Sequence, residues 1–271
     1  NSIASFFGRA FYSYDDRYLL TATLRRDGSS KFAKGHKWED FWGVSGSWII
    51  SNENFFTPAK DYLNNLKIRL SWGQLGNQAG IGLYDHYQYI FVGGQYPFGD
   101  SNNPLKVPNA SLGGMPAVDR TWETIETWDV GLDWGLFNNR LTGSFDYFVR
   151  YTYDMIGPAP ELSSSLGTGV PKINNADMKS YGFELELGWR DRIRDFSYGV
   201  KFILSDSQQK ILKYPNEDYN IGTYYKGQKL NNIWGYKTVG IAQSQEEMDA
   251  HLAKVDQSAL GSKWSAGDIM Y

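Results

Sequence analysis

Charged side chains recur at strand-compatible spacing in the second half of the chain: Asp129 and Asp133, then Asp146, then Glu184 and Glu186, then Lys201. Carboxylates two residues apart on an extended strand share a face and lie about 7 Å apart at the backbone. That does not exclude the separations at which glycoside-cleaving enzymes place an acid and its partner. Such chemistry also needs surroundings that drive the two proton affinities apart, and no such environment can be read around these residues. A solvated polar face accounts for them without catalysis. The three histidines, His36, His86 and His251, lack metal-ligand spacing. With no cysteine in the chain, no disulfide is available, and neither a metal site nor a bound cofactor is expected. Gly73, Gly76, Gly80 and Gly82 lack the Gly-Lys-Ser/Thr ending and the helix of a phosphate loop, and read as the mobile start of a loop. No Gly-x-Ser-x-Gly elbow occurs.

A different chemistry is open to the aromatics. Tyr84, His86, Tyr87 and Tyr89, followed by Tyr96 and Phe98, fall in a long connection where no lipid would demand them. Rings so placed suit stacking on a ligand or contact with a covering protein, with loop packing as the plain alternative. Tyr18, Trp38, Trp72, Trp122 and Trp189 fall near strand ends. They read first as an interfacial girdle and only second as sugar-stacking platforms.

The elements that carry these residues show a period of two. Trp128, Val130, Leu132, Trp134 and Leu136 alternate with Asp129, Gly131 and Asp133; after an Asn-Asn turn, Leu141, Gly143, Phe145, Tyr147 and Val149 alternate with Thr142, Ser144 and Asp146. The same rhythm runs through 6–14, 18–24, 42–50, 66–72, 181–189 and 196–204, which makes about eight strands and a weaker ninth near 233–241. Short links at 15–17, 137–140 and 190–195 alternate with long ones at 27–37, 74–120, 155–177 and 206–232. A link of intermediate length at 51–65 contains Thr57-Pro58, a possible helix start, and 243–254 has helical composition. Long loops without regular structure are uncommon in compact soluble domains, whereas short turns at one end and long loops at the other belong to outer-membrane barrels. No stretch approaches the roughly 18 uninterrupted apolar residues of a membrane helix. The net charge of −3 gives no reason to expect a nucleic acid partner. The fold expected is therefore all-β: an antiparallel transmembrane β-barrel segment with long extracellular loops. Trp128, Val130, Leu132, Leu141, Phe145, Tyr147, Phe183, Leu185, Val200 and Phe202 would face lipid, with Asp129, Asp133, Asp146, Glu184, Glu186 and Lys201 facing the lumen.

Six segments, in order, carry a family resemblance: YLLTATLRRDGSSKF at 18–32, WGVSGSWIISNENF at 42–55, LKIRLSWGQLGNQ at 66–78, the hairpin from Trp122 to Tyr147, NADMKSYGFELELGWR at 175–190 and GYKTVGIAQSQEEMDA at 235–250. The chain resembles SusC/RagA-like TonB-linked outer-membrane transporters. That resemblance implies a barrel of about 22 strands in the outer membrane of a Gram-negative bacterium, importing an oligosaccharide or peptide. It also implies a SusD-like surface lipoprotein as lid and TonB acting through a plug and TonB box outside this segment. Eight or nine strands cannot close such a barrel, so 1–241 reads as a partial barrel and 242–271 as a loop or helical excursion continuing past Tyr271. Further polypeptide would then pair with the two edge strands. A soluble all-β carbohydrate-binding or glycosidase domain and a passive porin are the competing readings.

Overall fold

The computed structural model describes residues 2–99, 105–261 and 263–271. In chain order its first unit contains β1 (Ile3–Tyr14), β2 (Tyr18–Ser29), β3 (Trp38–Ile49), β4 (Leu63–Asn77), β5 (Ile90–Phe98), β6 (Leu105–Leu112), β7 (Glu123–Leu136), β8 (Leu141–Ile156), β9 (Asn174–Ile193) and β10 (Phe196–Lys213). Eight of these strands form one antiparallel sheet in the order β1-β2-β3-β4-β7-β8-β9-β10, while β5 and β6 pair only with each other. β1 and β10 end the sheet without pairing to one another, so among the described residues both edges are open, except where 227–230 bonds the far end of β10 at Gln209 and Ile211. The expected strand count for the sheet is met by these eight. The weaker ninth contracts to β11 (Gly240–Ile241), which lies outside the sheet and pairs with β12 (Ile269–Met270).

Turn chemistry explains the tight end of the sheet. Asp15 and Asp16 have φ of 51° and 48°, Asn138 and Asn139 56° and 60°, left-handed values that Asp and Asn tolerate because their short side chains bond the local backbone. The longer β3–β4 connection, with its 3-10 turn Asn54–Ala59 around Pro58, is tied down by one carboxylate. Glu53 accepts from the Tyr18 hydroxyl at 2.7 Å, the Trp48 indole at 3.0 Å and the Arg17 guanidinium at 3.3 Å. Those bonds favour the charged form and hold its pKa below the usual glutamate value, the Tyr18 hydroxyl contributing most.

Each strand pair keeps the period of two in register. Leu70 lies between Gly46 and Val130, while its neighbour Ser71 lies between Ser45 and Asp129. One face is thereby mainly apolar through the middle of the sheet and the other mainly polar, although Phe7, Phe11, Phe148 and Ile203 lie on the latter. The apolar face has no covering layer: Leu70 is 56% exposed and Val200 67%, far from the nearly complete burial of a soluble core.

The limits of that apolar face run obliquely across the strands. Ala10, Ala22, Val44, Trp72, Trp128, Val149, Tyr181 and Gln208 form one cross-strand row. Toward the long connections, the large apolar residues extend to Phe6 on β1, four residues above that row; to Leu24 and Trp42, two above; to Trp72 and Trp128 on it; and only to Leu204 on β10, four below, while β8 departs from this trend by running on to Tyr151 and Tyr153. At the tight-turn end the lower limit also descends, from Tyr14 on β1 to Trp189 on β9. The drift is about one residue per strand, or about 3.4 Å along the strand for each 4.8 Å across the sheet. A flat slab cutting the sheet in this way requires strands tilted by about 35°, the range for membrane barrels.

The largest cluster of buried apolar residues in this unit lies at the long-connection end. Phe32, Phe41, Ile81 and Trp122 are nearly inaccessible and Ile156 packs against them. Trp122 is therefore not a girdle residue: it is 5% exposed, lies against Phe32 and Phe41, and donates its indole N–H to the Lys37 carbonyl. Nor are Gly73 and Gly76 the start of a mobile loop, since both belong to β4. A Cβ on Gly76 would collide with the Phe41 ring, so the glycine lets that ring and Trp122 close over the strand.

The second unit, Asn231–Tyr271, holds β11, α1 (Gln245–Leu252) and β12 around Ala242, Met248 and Met270. Ser244 caps α1 by accepting from the Glu247 amide at 3.2 Å.

Candidate functional site

The polar face assembles the charged residues singled out from spacing. Gly131 opposes Asp146, which opposes Glu184; Asp133 opposes Ser144, which opposes Glu186; Lys201 opposes Gly188. Asp133, Asp146, Glu184, Glu186 and Lys201 therefore share one face with Asp129. The residue that organises them is Arg69 on β4. Its guanidinium makes a two-bond fork to Asp133, both bonds 2.9 Å, and a third bond of 2.8 Å to Asp146. To reach Asp146 it crosses β7 at Gly131, where a Cβ would lie 2.6 Å from the guanidinium carbon. Glycine at that position is what allows an arginine on β4 to brace β8. Alternation already places Arg69 on the polar face, but only the register shows that it spans two strands to Asp146.

This arrangement disfavours proton transfer by Asp133, Asp146 and Glu186. Two of them are held as acceptors by one guanidinium, which stabilises the ionised form, and Glu186 pairs with Lys201 at 2.7 Å. What remains is a hydrated wall of fixed charges and hydroxyls, suited to a polar solute or to a polar protein surface passing close by.

The aromatic residues divide into two groups. In the 84–89 segment, the rings of His86 and Tyr87 stand 4.2 Å apart, Tyr84 lies 6.3 Å from Tyr87, and the Tyr89 hydroxyl donates to the Tyr84 carbonyl at 3.1 Å. His86 is half-buried with Nδ1 3.1 Å from the Lys31 carbonyl oxygen; it anchors the segment while Tyr84, Tyr87 and Tyr89 remain exposed. Tyr96 and Phe98 sit together on β5, 5.1 Å apart and exposed.

Spacing gave no hint of the clamps that hold these segments. Arg120 pairs with Asp85 and donates Nε to the Lys172 carbonyl at 2.8 Å. Glu123 is 8% exposed and accepts from Asn77 at 2.6 Å and the Ile156 amide at 3.0 Å. The Asn174 side chain bonds both the amide and the carbonyl of Thr121, at 3.0 and 3.1 Å. Partners this distant in sequence leave no local signature. They tie the roots of the long connection to neighbouring segments, while its aromatic portion stays open to solvent.

Comparison with known proteins agrees with this geometry. The family described as TonB dependent receptor-like, beta-barrel matches residues 1–258. The chain is 32% identical over 223 residues to TonB-dependent receptor SusC of Bacteroides thetaiotaomicron, covering 80% of this chain and 22% of SusC. It is 30% identical over 250 residues to TonB-dependent receptor P39 of Formosa agariphila, covering 91% and 23% respectively. Among solved structures it superposes on the RagAB peptide importer in the closed-closed state with a TM-score of 0.73 and 26% identity, over 89% of this chain and 26% of that one. The chain thus spans about a quarter of the length of these relatives.

Proposed function

Because this chain belongs to the TonB dependent receptor-like β-barrel family, we propose that it is a wall segment of a SusC-like active importer in the outer membrane of a Gram-negative bacterium. Its apolar face lies against lipid and its polar face, with Asp129, Asp133, Asp146, Glu184, Glu186 and Lys201, lines the lumen. The wall is taken as 1–241 and the excursion as 242–271. The observation that carries the membrane reading is the oblique apolar band, which fits a slab crossed by strands tilted about 35° and has no counterpart in a soluble sandwich.

The solute is a large polar nutrient, an oligosaccharide or a peptide. The relation to SusC and the likeness to a peptide importer support that class without choosing between the two. A SusD-like lipoprotein closes the extracellular end, and TonB drives transport through a plug outside this segment. Polypeptide outside 1–271 pairs with β1 and β10, since an open edge in hydrocarbon leaves backbone groups unsatisfied at several kcal/mol each. Tyr84, His86, Tyr87, Tyr89, Tyr96 and Phe98 meet the solute or the lid, with His86 serving chiefly to hold the others in place.

The test is uptake by cells expressing the full-length protein, with labelled maltooligosaccharides and mixed peptides as separate probes. Accumulation should depend on TonB, and Tyr84→Ala/Tyr87→Ala/Tyr96→Ala/Phe98→Ala should lower it several-fold while the barrel stays folded. TonB-independent accumulation would leave a passive porin as the better reading. Unchanged uptake and lid binding in the aromatic variant would remove the role of the loop.

A further inference from the structure

Residues 84–87 form a turn closed by the Tyr87 amide, which donates to the Tyr84 carbonyl at 2.9 Å. Its two central residues are anchored to different segments. His86 meets the Lys31 carbonyl oxygen through Nδ1 at 3.1 Å, and Asp85 pairs with Arg120. The flanking rings of Tyr84 and Tyr87 are left exposed. Asp85 is the more heavily engaged anchor. Its carboxylate also accepts from the Gly82 amide at 3.0 Å, and its backbone carbonyl from the Ala117 amide at 2.7 Å. A Cβ on Gly82 would collide with that carboxylate. Arg120 in turn reaches a third segment, donating Nε to the Lys172 carbonyl at 2.8 Å. Beside it, the Met115 amide donates to the Gly169 carbonyl at 3.0 Å and the Thr168 hydroxyl to the Gly113 carbonyl at 3.3 Å. Among the described residues no strand ladder joins 168–172 to 82–88 or to 113–120, so separate bonds hold these segments together. A neutral bond contributes only about 1 kcal/mol net, against a comparable entropy cost for each backbone residue ordered. Bonds from a guanidinium are stronger, and the Arg120 side chain is only 11% exposed.

We propose that Arg120 is a positioning residue for the aromatic contact surface: by spanning Asp85 and the Lys172 carbonyl it makes the 84–87 turn and the 157–173 connection order together, and so sets where the Tyr84 and Tyr87 rings point. The inference rests on the proposed contact of those rings with solute or lid. The planar guanidinium presents Nη1 to one partner and Nε to the other at the same time, a fork that the point charge of a lysine does not reproduce. A lysine at 120 keeps the charge beside Asp85 and loses the tie to 172. Once the tie is lost, the turn must be ordered again at each encounter, which lowers affinity and leaves the TonB-driven step itself in place.

The test uses the full-length protein, with labelled maltooligosaccharides and mixed peptides as separate uptake probes in cells and residue-resolved amide hydrogen exchange in detergent micelles. Arg120→Gln should raise the half-saturating concentration of the transported probe about three- to tenfold, leave maximal uptake little changed, and keep the heat-sensitive gel mobility of a folded barrel. Exchange should quicken both at Ala117, which is bonded to Asp85, and at Met115, which is bonded to Gly169, while the strands of the sheet keep their protection. Arg120→Lys should reproduce both effects. Wild-type behaviour of Arg120→Lys would show that charge beside Asp85 suffices and would overturn the bridging role. Faster exchange at Ala117 alone would overturn the joint ordering. Unchanged uptake in Arg120→Gln, with uptake lowered by Tyr84→Ala/Tyr87→Ala, would overturn the positioning role and leave the aromatic contact standing. Unchanged uptake in both variants would remove the aromatic contact and the positioning role with it.

Discussion

Leu70 and Ser71 are adjacent on β4 yet sit in opposite surroundings, which makes them a sharp test of which face meets lipid. Leu70 is flanked by Ile68 and Trp72 on its own strand and opposes Gly46 and Val130. It lies inside the oblique apolar band, two residues from the upper limit at Trp72. Ser71 opposes Ser45 and Asp129 on the charged face. An arginine near the bilayer midplane on the lipid face of a barrel costs about 2–4 kcal/mol, a change of roughly 30- to 700-fold in the folding equilibrium at about 1.4 kcal/mol per tenfold. At position 71 the guanidinium would remain hydrated beside Asp129, and the expected change is under about 1 kcal/mol. The assay is urea unfolding of the full-length protein in lipid vesicles, followed by tryptophan fluorescence and by heat-sensitive gel mobility. Equal destabilisation by Leu70→Arg and Ser71→Arg would refute the assignment of faces, and a larger loss for Ser71→Arg would invert it. The adjacent pair Leu132 and Asp133 is a poorer choice, because Asp133→Arg would also set a second cation against Arg69.

Two further outcomes follow from the same geometry. Gly131→Val should block the crossing of Arg69 to Asp146 and cost about 1–3 kcal/mol, with Arg69→Ala producing a similar loss and the double variant adding little. Fully additive losses in a double-mutant cycle would show that the brace is not what glycine protects. Glu53 has a pKa depressed in the folded state, so its contribution to stability is present above the ordinary carboxylate range and is lost as pH falls through the lower folded value. Acidification from neutrality should therefore destabilise the wild type more than Glu53→Gln, and parallel pH profiles of the two proteins would show that the Tyr18 and Trp48 bonds do not depend on charge.

Strand existence, the two faces and the tight end of the sheet were legible in the amino-acid order alone, because a period of two and Asp or Asn turns act locally. Helix α1 was legible as the helical composition of 243–254, though not its Ser244 cap. Alternation also put the charged residues on one side of their strands. It did not disclose the β5–β6 hairpin in the long connection: its strands satisfy each other's backbone groups without burying a face, so no alternation of apolar and polar residues was imposed on them.

Position along the third dimension was beyond local patterning. Trp122 has the composition of a girdle residue, and only the fold shows it buried against Phe32 and Phe41. Arg69 and Gly131 are unremarked members of two strands until the β4–β7–β8 register lays one across the other. The clamps through Arg120, Glu123 and Asn174 join residues that no spacing rule connects. The tilt of the band likewise depends on how each strand is offset from the next. Sequence by itself determined which residues prefer water and which do not, since side-chain chemistry and backbone periodicity are properties of the chain. Tertiary structure alone decided which of them meet, because hydrogen-bond register and van der Waals contact exist only between segments brought together by folding.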